Sequence, residues 1–238
     1  MWLIAVVIVY ILISLLFQWF FSKERISNHE KGNVLFVTAH PDDETMFFGP
    51  SIISLINQKG GRENDCVHLL CLSNGNCYGD GQLRIAELTK ACQMLKIKLD
   101  IIEDDLLQDN PKVVWSKSVI CTYIKEYVSK YEIKTIVTFD NYGVSGHSNH
   151  INVFESILEL KISHIKVYVL ESISLWRKYL SVFELPISLI YQSIWKPEIN
   201  LDVISFGEYF RLIKALRQHR SQMLWFRYLY SFTSRYMF

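Results

Sequence analysis

The stretch Asn33–Pro50, "NVLFVTAHPDDETMFFGP", decides the fold. Val34–Ala39 is an unbroken apolar run and reads as a buried strand. It ends in His40, Pro41 and three consecutive acids, Asp42, Asp43 and Glu44. Pro41 fixes the turn and stops the strand. Carboxylates packed side by side against a buried strand repel one another and lose hydration. The rest of the chain has to supply what makes them tolerable, and a divalent cation does so by inverting the local electrostatics.

Working outward, the same alternation recurs. Strands are expected at Val34–Ala39, Cys66–Leu72, Leu99–Ile102, Thr135–Phe139 and Ile165–Leu170. Helices are expected between them at Gly49–Gln58, Gln82–Lys96, Trp115–Tyr131 and Asn149–Leu160. Repeated strand-then-helix order predicts a Rossmann-like α/β fold, a mostly parallel sheet with helices on both faces. Ligands in such folds sit beyond the carboxyl ends of the strands. Polar clusters fall at three of those ends: "HPDDE" after the first strand, "SNGNCYGDG" after the second and "DNYGVSGHSNH" after the fourth.

His147 and His150 are three apart, hence on one face at the start of a helix. Gly143 and Gly146 free the preceding loop to bring that helix start close to the strand ends. One of Asp42 and Asp43 can bind a metal with His40 while the other faces the attacking water. A His–Asp–His set with an open position is the composition of a catalytic zinc site. One histidine and one aspartate then remain for proton transfer. Asp140 either orients a histidine or closes the strand-end turn. His68 reads as a packing histidine, His29 and His164 as solvated, and His219 as a surface or phosphate-facing residue.

Other chemistries are excluded. A net charge of +1 rules out a strongly basic nucleic-acid footprint. "GNCYGDG" lacks the dinucleotide-binding order of glycines, and no G-x-S-x-G nucleophile elbow occurs. The five cysteines, with no C-x-x-C pair, read as free thiols and favour a reducing compartment.

Trp2–Phe21, "WLIAVVIVYILISLLFQWFF", is of another kind. As a helix it spans a hydrocarbon core of ~30 Å, with aromatics crowding its C-terminal end. It lacks the basic start and cleavage site of a signal peptide. We therefore expect a single transmembrane helix at residues 1–21, a polar linker at 22–32 and a catalytic domain at 33–238. Lys23 and Arg25 follow the span, so the positive-inside rule leaves the body cytosolic. At the other end, Tyr209–Phe238 holds Arg211, Lys214, Arg217, Arg220, Arg227 and Arg235, no acid, and interleaved aromatics. Two readings stay open: contact with an anionic membrane or phosphate-bearing ligand, or a helix packed on the domain with a solvated basic face.

With "HPDDE" and "HSNH" both at strand ends, the sequence resembles the PIG-L/LmbE-type de-N-acetylases. The resemblance runs from Asn33 through "TFDNYGVSGHSNH" to the C-terminus. "RKYLSVFELPISLIY" and "HRSQMLWFRYLYSFTSRYM" are similar to the eukaryotic branch, the N-acetylglucosaminyl-phosphatidylinositol deacetylases. It implies His40, Asp43 and His150 as ligands of zinc or another divalent cation. It implies Asp42 as the general base toward the water, His147 as the group that steadies the oxyanion and helps protonate the leaving amine, and Arg84 as a substrate contact. Bacterial members usually carry an acid where this chain has Asn149. The implied reaction is zinc-dependent deacetylation of N-acetylglucosaminyl-phosphatidylinositol, the second step of glycosylphosphatidylinositol anchor synthesis, on the cytosolic face of the endoplasmic reticulum membrane. The alternatives are a deacetylase of a soluble N-acetylglucosaminyl conjugate and a non-catalytic membrane-anchored binding subunit.

Overall fold

The computed structural model describes residues 2–21, 32–59, 66–110, 113–162, 164–195 and 201–238. The chain opens with helix α1 (Trp2–Phe21) and enters strand β1 (Asn33–Thr38). Helices α2 (Asp43–Met46) and α3 (Gly49–Lys59) lead to β2 (Val67–Cys71), α4 (Gly81–Leu95) and β3 (Lys98–Ile101). Then come α5 (Lys117–Lys130), β4 (Ile133–Phe139), α6 (Gly143–Gly146), α7 (Ser148–Glu159) and β5 (Lys166–Leu170). The remainder is helical: α8 (Leu175–Lys178), α9 (Leu185–Trp195), α10 (Phe206–Leu216) and α11 (Trp225–Thr233).

The five strands form one parallel sheet in the order β3-β2-β1-β4-β5. Side chains alternate across a strand, so β1 sends Val34 and Phe36 to one face and Leu35 and Val37 to the other. The first pair joins the core under α3, α4 and α10; the second joins the core under α5 and α7. This two-sided burial is why β1 is apolar at every internal position. From β1 the chain runs outward to β2 and β3, then returns to β4 on the other side of β1. That reversal opens a crevice beyond the carboxyl ends of β1 and β4. The expected strands and helices all form, with ends displaced by one or two residues. The expected start of α5 at Trp115 moves to Lys117, because Trp115 turns inward and its Nε1 donates to the Gln108 carbonyl at 2.8 Å.

α1 lies along the body rather than standing apart from it. Tyr10 donates to the Phe183 carbonyl at 2.6 Å and Gln18 to the Ile204 carbonyl at 3.2 Å. Ser14 and Gln18, the polar pair in the apolar run, are buried, Ser14 bonded to the Tyr10 carbonyl and Gln18 to that of Ile204, while Ile8, Leu12, Leu16 and Trp19 stay exposed. Among the described residues, whose side chains in α1 begin at Ile8, no helix is long and apolar enough to cross a membrane. Lys23, Arg25, His29 and nearly all of the linker lie outside the described residues.

The C-terminal basic segment divides in two. α10 is core: a Ser205–Glu208 capping box starts it, and Leu212 packs so closely on Gly49 that a Cβ there would collide with it. α11 keeps an apolar face outward.

His219 is a correction to the sequence reading. It is fully buried, not at the surface, and its Nε2 lies 2.6 Å from Glu44 Oε1, itself fully buried. The pair explains how the third acid of "HPDDE" is tolerated without a metal. Burial alone would lower the His219 pKa, but the Glu44 charge and hydrogen bond outweigh it and raise the pKa above its ordinary 6.5. Stability from this group is therefore fully present below about pH 6.5 and is lost as pH rises through the raised value. Urea titrations at several pH values should show that loss in the native protein, and His219→Gln should abolish it. An unchanged pH dependence in the variant would rule the pair out as its source.

Candidate active site

Asp42 and Asp43 diverge, as adjacent residues on a turn must. Asp43 Oδ2 accepts from the Ala39 and His40 amides at 3.0 and 2.8 Å, pinning its carboxylate under the end of β1. Its Oδ1 is left facing His150 Nε2 at 3.4 Å. Asp42 adopts φ 116°, left-handed backbone that a non-glycine residue rarely takes, at a cost of ~1–3 kcal/mol. Its carbonyl accepts from Met46 N at 2.9 Å to begin α2, which leaves its carboxylate pointing to Arg84 and Arg227.

On the facing side, Asp140 organises the loop that carries the histidines. Its carboxylate accepts from the amides of Tyr142 and Gly143 and from both the amide and the hydroxyl of Ser172, tying the loop to the end of β5. Asp140 is thus a turn carboxylate; it reaches His150 only through the loop. Gly143 stands at φ 60° against His150, where a Cβ would come within 2.7 Å of the histidine's own. Val144 is held at φ 65°, an outlier for a β-branched residue, with its amide donating to Ser172 Oγ.

His150 Nδ1 meets the Gly143 carbonyl at 3.1 Å and its ring stacks on Phe139 at 3.9 Å. Its Nε2 is buried with no hydrogen-bond partner. An orphaned buried nitrogen beside a carboxylate oxygen is what a metal ligand looks like without its ion. His40 completes the cluster. Its Nδ1 is 3.8 Å from Asp43 Oδ2, and its Nε2 meets Asn149 Nδ2 at 3.0 Å and Asp109 Oδ1 at 3.3 Å. The donor set of two imidazoles and a carboxylate suits zinc. Ligand nitrogens of His40, His147 and His150 also lie within 4.8 Å of one another, so the third ring borders the same point.

His147 differs from the other two in being exposed. It caps α7, its Nδ1 accepting from the Asn149 amide at 3.3 Å. Loss of hydration between its neighbours, then the charges of His40 and His150, push its pKa down to about 4. The ring is therefore neutral near pH 7, and with Nδ1 accepting, its proton sits on Nε2 as a donor toward the crevice. Burial disfavours a charged His40, yet the Asp109 hydrogen bond and the charges of Asp43, Asp109 and Asp42 together raise its pKa. Burial likewise disfavours the Asp43 carboxylate, but His150 and His40 overcome it and hold its pKa well below the usual range.

Arg84 is placed in the site but as a bracket. It is buried, donates to the carbonyls of Pro41 at 2.7 Å and Gly75 at 2.8 Å, and so joins the loops after β1 and β2. Asp109 escaped the sequence reading, and Arg227 was read only as one of the basic residues of the C-terminal segment. Asp109, past the end of β3, bridges His40 and Arg84, with Oδ2 3.5 Å from Arg84 Nη1. The rule that ligands gather at strand ends pointed to that end as well. Arg227 comes from α11, and nothing local in "LWFRYLY" marks it.

The PIG-L family model, described as GlcNAc-PI de-N-acetylase, matches residues 35–161, the segment from β1 through α7 that carries His40, Asp42, Asp43, His147 and His150. The chain belongs to this family. It is an enzyme, a hydrolase. It is 38% identical over 225 residues to the probable N-acetylglucosaminyl-phosphatidylinositol de-N-acetylase of Schizosaccharomyces pombe, covering 91% of this chain and 89% of that one. It is 39% identical over 211 residues to the N-acetylglucosaminyl-phosphatidylinositol de-N-acetylase of Bos taurus, covering 85% and 79%. Among solved structures, N,N'-diacetylchitobiose deacetylase from Pyrococcus horikoshii superposes with a TM-score of 0.55 at 18% identity, over 84% of this chain and 76% of that one. The zinc-inhibited form of teicoplanin deacetylase Orf2 superposes with a TM-score of 0.56 at 12% identity, over 81% and 85%. At those identities the likeness is one of fold.

Proposed function

We propose that the protein hydrolyses the acetamide of N-acetylglucosaminyl-phosphatidylinositol, releasing acetate and leaving glucosaminyl-phosphatidylinositol, as the second step of glycosylphosphatidylinositol anchor synthesis. The observation that carries this is the convergence of His40, Asp43 and the orphaned His150 Nε2 in the crevice of a PIG-L chain. His40, Asp43 and His150 would hold a zinc ion, which supplies Lewis acidity to the acetamide and the attacking water.

The chain's own residues do the rest. Asp42 accepts the water's proton as its oxygen attacks the carbonyl carbon. His147 donates a hydrogen bond from Nε2 to the developing oxyanion, and the proton that Asp42 took from the water passes, with His147 assisting, to the amine as the C–N bond breaks. Arg84 keeps the loops bearing Asp42 and Gly75 in register. Asn149 holds His40 from the side away from Asp43.

α1 anchors the body in the endoplasmic reticulum membrane with the catalytic domain on the cytosolic side. The substrate's lipid tails stay in the bilayer, so anchoring raises its effective concentration at the site. Acetate release should be measured from vesicle-embedded N-acetylglucosaminyl-phosphatidylinositol and from soluble N-acetylglucosaminyl conjugates. Preference for the lipid supports the reading; faster release from a soluble conjugate sinks it, and release from neither leaves a binding subunit. Protease added to sealed microsomes should digest the body from outside. Protection until detergent is added would reverse the topology.

A further inference from the structure

We infer that Arg227 is the binding residue for the phosphodiester of a lipid-linked substrate, delivered to the site by a helix whose other face rests on the bilayer; this deepens the function proposed above and rests on it.

α11 is inverted relative to an ordinary surface helix. Its outward face carries Trp225, Phe226, Tyr228, Leu229 and Phe232, all exposed. Its one charged side chain, Arg227, is turned inward instead. The side chain is 19% exposed, and its guanidinium pairs with Asp42 and lies 3.1 Å from Met46 Sδ. Tyr230, one turn on, is buried and donates to the Met46 carbonyl at 2.7 Å, which fixes the helix over the site. A soluble domain gains nothing by exposing five large apolar side chains while directing its cation inward.

The occupant of the outer face is lipid, because that face continues into α1. Ser181 donates to the Phe232 carbonyl at 2.8 Å, and Tyr10 of α1 donates to the Phe183 carbonyl two residues further on. α11 and the apolar α1 are thus joined through residues 181–183. An amphipathic helix of this kind lies at the headgroup level. A phosphodiester between lipid and inositol lies at that same level, with the attached sugar projecting toward water. Arg227 stands between the two, one flank on the apolar helix and the other on Asp42. Its planar fork suits two phosphate oxygens, and Asp42 is the anion that occupies it when no phosphate is present. α11 lies beyond residues 35–161, the segment that the family model matches.

The test compares two substrates in phosphatidylcholine vesicles with the full-length chain. One is N-acetylglucosaminyl-phosphatidylinositol. The other is N-acetylglucosaminyl-inositol joined to the same lipid through an uncharged ether. Arg227→Gln should lower kcat/KM for the phosphodiester ~10–100-fold, chiefly through KM, as loss of a charge-assisted pair predicts. On the ether the same variant should leave KM within about threefold, and any change in kcat that comes from unpairing Asp42 should be shared by both substrates. Arg227→Lys, which keeps the charge but not the fork, should fall between wild type and Arg227→Gln on the phosphodiester alone. Variants that keep their metal and melting temperature but lose both substrates equally, or neither, overturn the assignment. A wild type inactive on the phosphodiester overturns the substrate reading instead.

Discussion

Asp42→Asn is expected to lower kcat by ~10²–10⁴-fold, the range that general-base catalysis contributes, while the protein keeps its metal and its fold. Asparagine has nearly the shape of aspartate and still accepts a hydrogen bond, but it cannot take a proton from water. The backbone at this position favours the substitution: asparagine is among the residues that best tolerate positive φ, and Asp42 stands at 116°. The carbonyl that starts α2 is unaffected, since Met46 N bonds to backbone. What the variant loses besides the base is the charge that pairs with Arg84 and Arg227. Each of those cations has other partners: Arg84 keeps the carbonyls of Pro41 and Gly75, and Arg227 keeps Met46. Loss of activity with full metal content and an unchanged melting temperature is therefore the expected result. A variant that retains most of its kcat would show that another group accepts the proton.

Much of this molecule is legible locally. A strand buried on both faces is written as a continuous apolar run, and β1 was readable for that reason. A loop that must bring two histidines to a strand end advertises itself through Gly143 and Gly146. Separation of Asp42 from Asp43 follows from the geometry of adjacent residues. Pairings across the chain are not readable in this way. His219 meets Glu44 across 175 residues, and Arg227 meets Asp42 across 185. In sequence both looked like members of a basic, aromatic tail, because composition records a residue's charge and not which way its helix turns. Asp140 illustrates the converse. Two roles were open to a carboxylate after the fourth strand, and the choice fell to Ser172, at the end of the neighbouring strand.

His150→Ala is expected to empty the metal site, taking activity to background, and a stability loss of ~1–3 kcal/mol should accompany it from the vacated ring space. His150 Nε2 does little else in the fold. It is buried without a hydrogen-bond partner, 3.4 Å from Asp43 Oδ1, where a ligand nitrogen would sit. Asp43 supplies the control. Its Oδ2 is committed to two backbone amides, and Oδ1 faces His150. Asp43→Asn can keep the amides with its one oxygen, which places an NH₂ where Oδ1 stood. The fold should survive while metal affinity falls, and excess zinc should restore part of the activity. Metal content by elemental analysis, about one ion per chain in the native protein for a single open site, then separates the adjacent acids: lost in Asp43→Asn, kept in Asp42→Asn. Full occupancy in His150→Ala would remove that ring from the ligand set and leave His40 and His147 as the imidazoles that hold the ion. An Asp42→Asn protein without metal, beside an Asp43→Asn protein that keeps it, would exchange the roles of base and ligand.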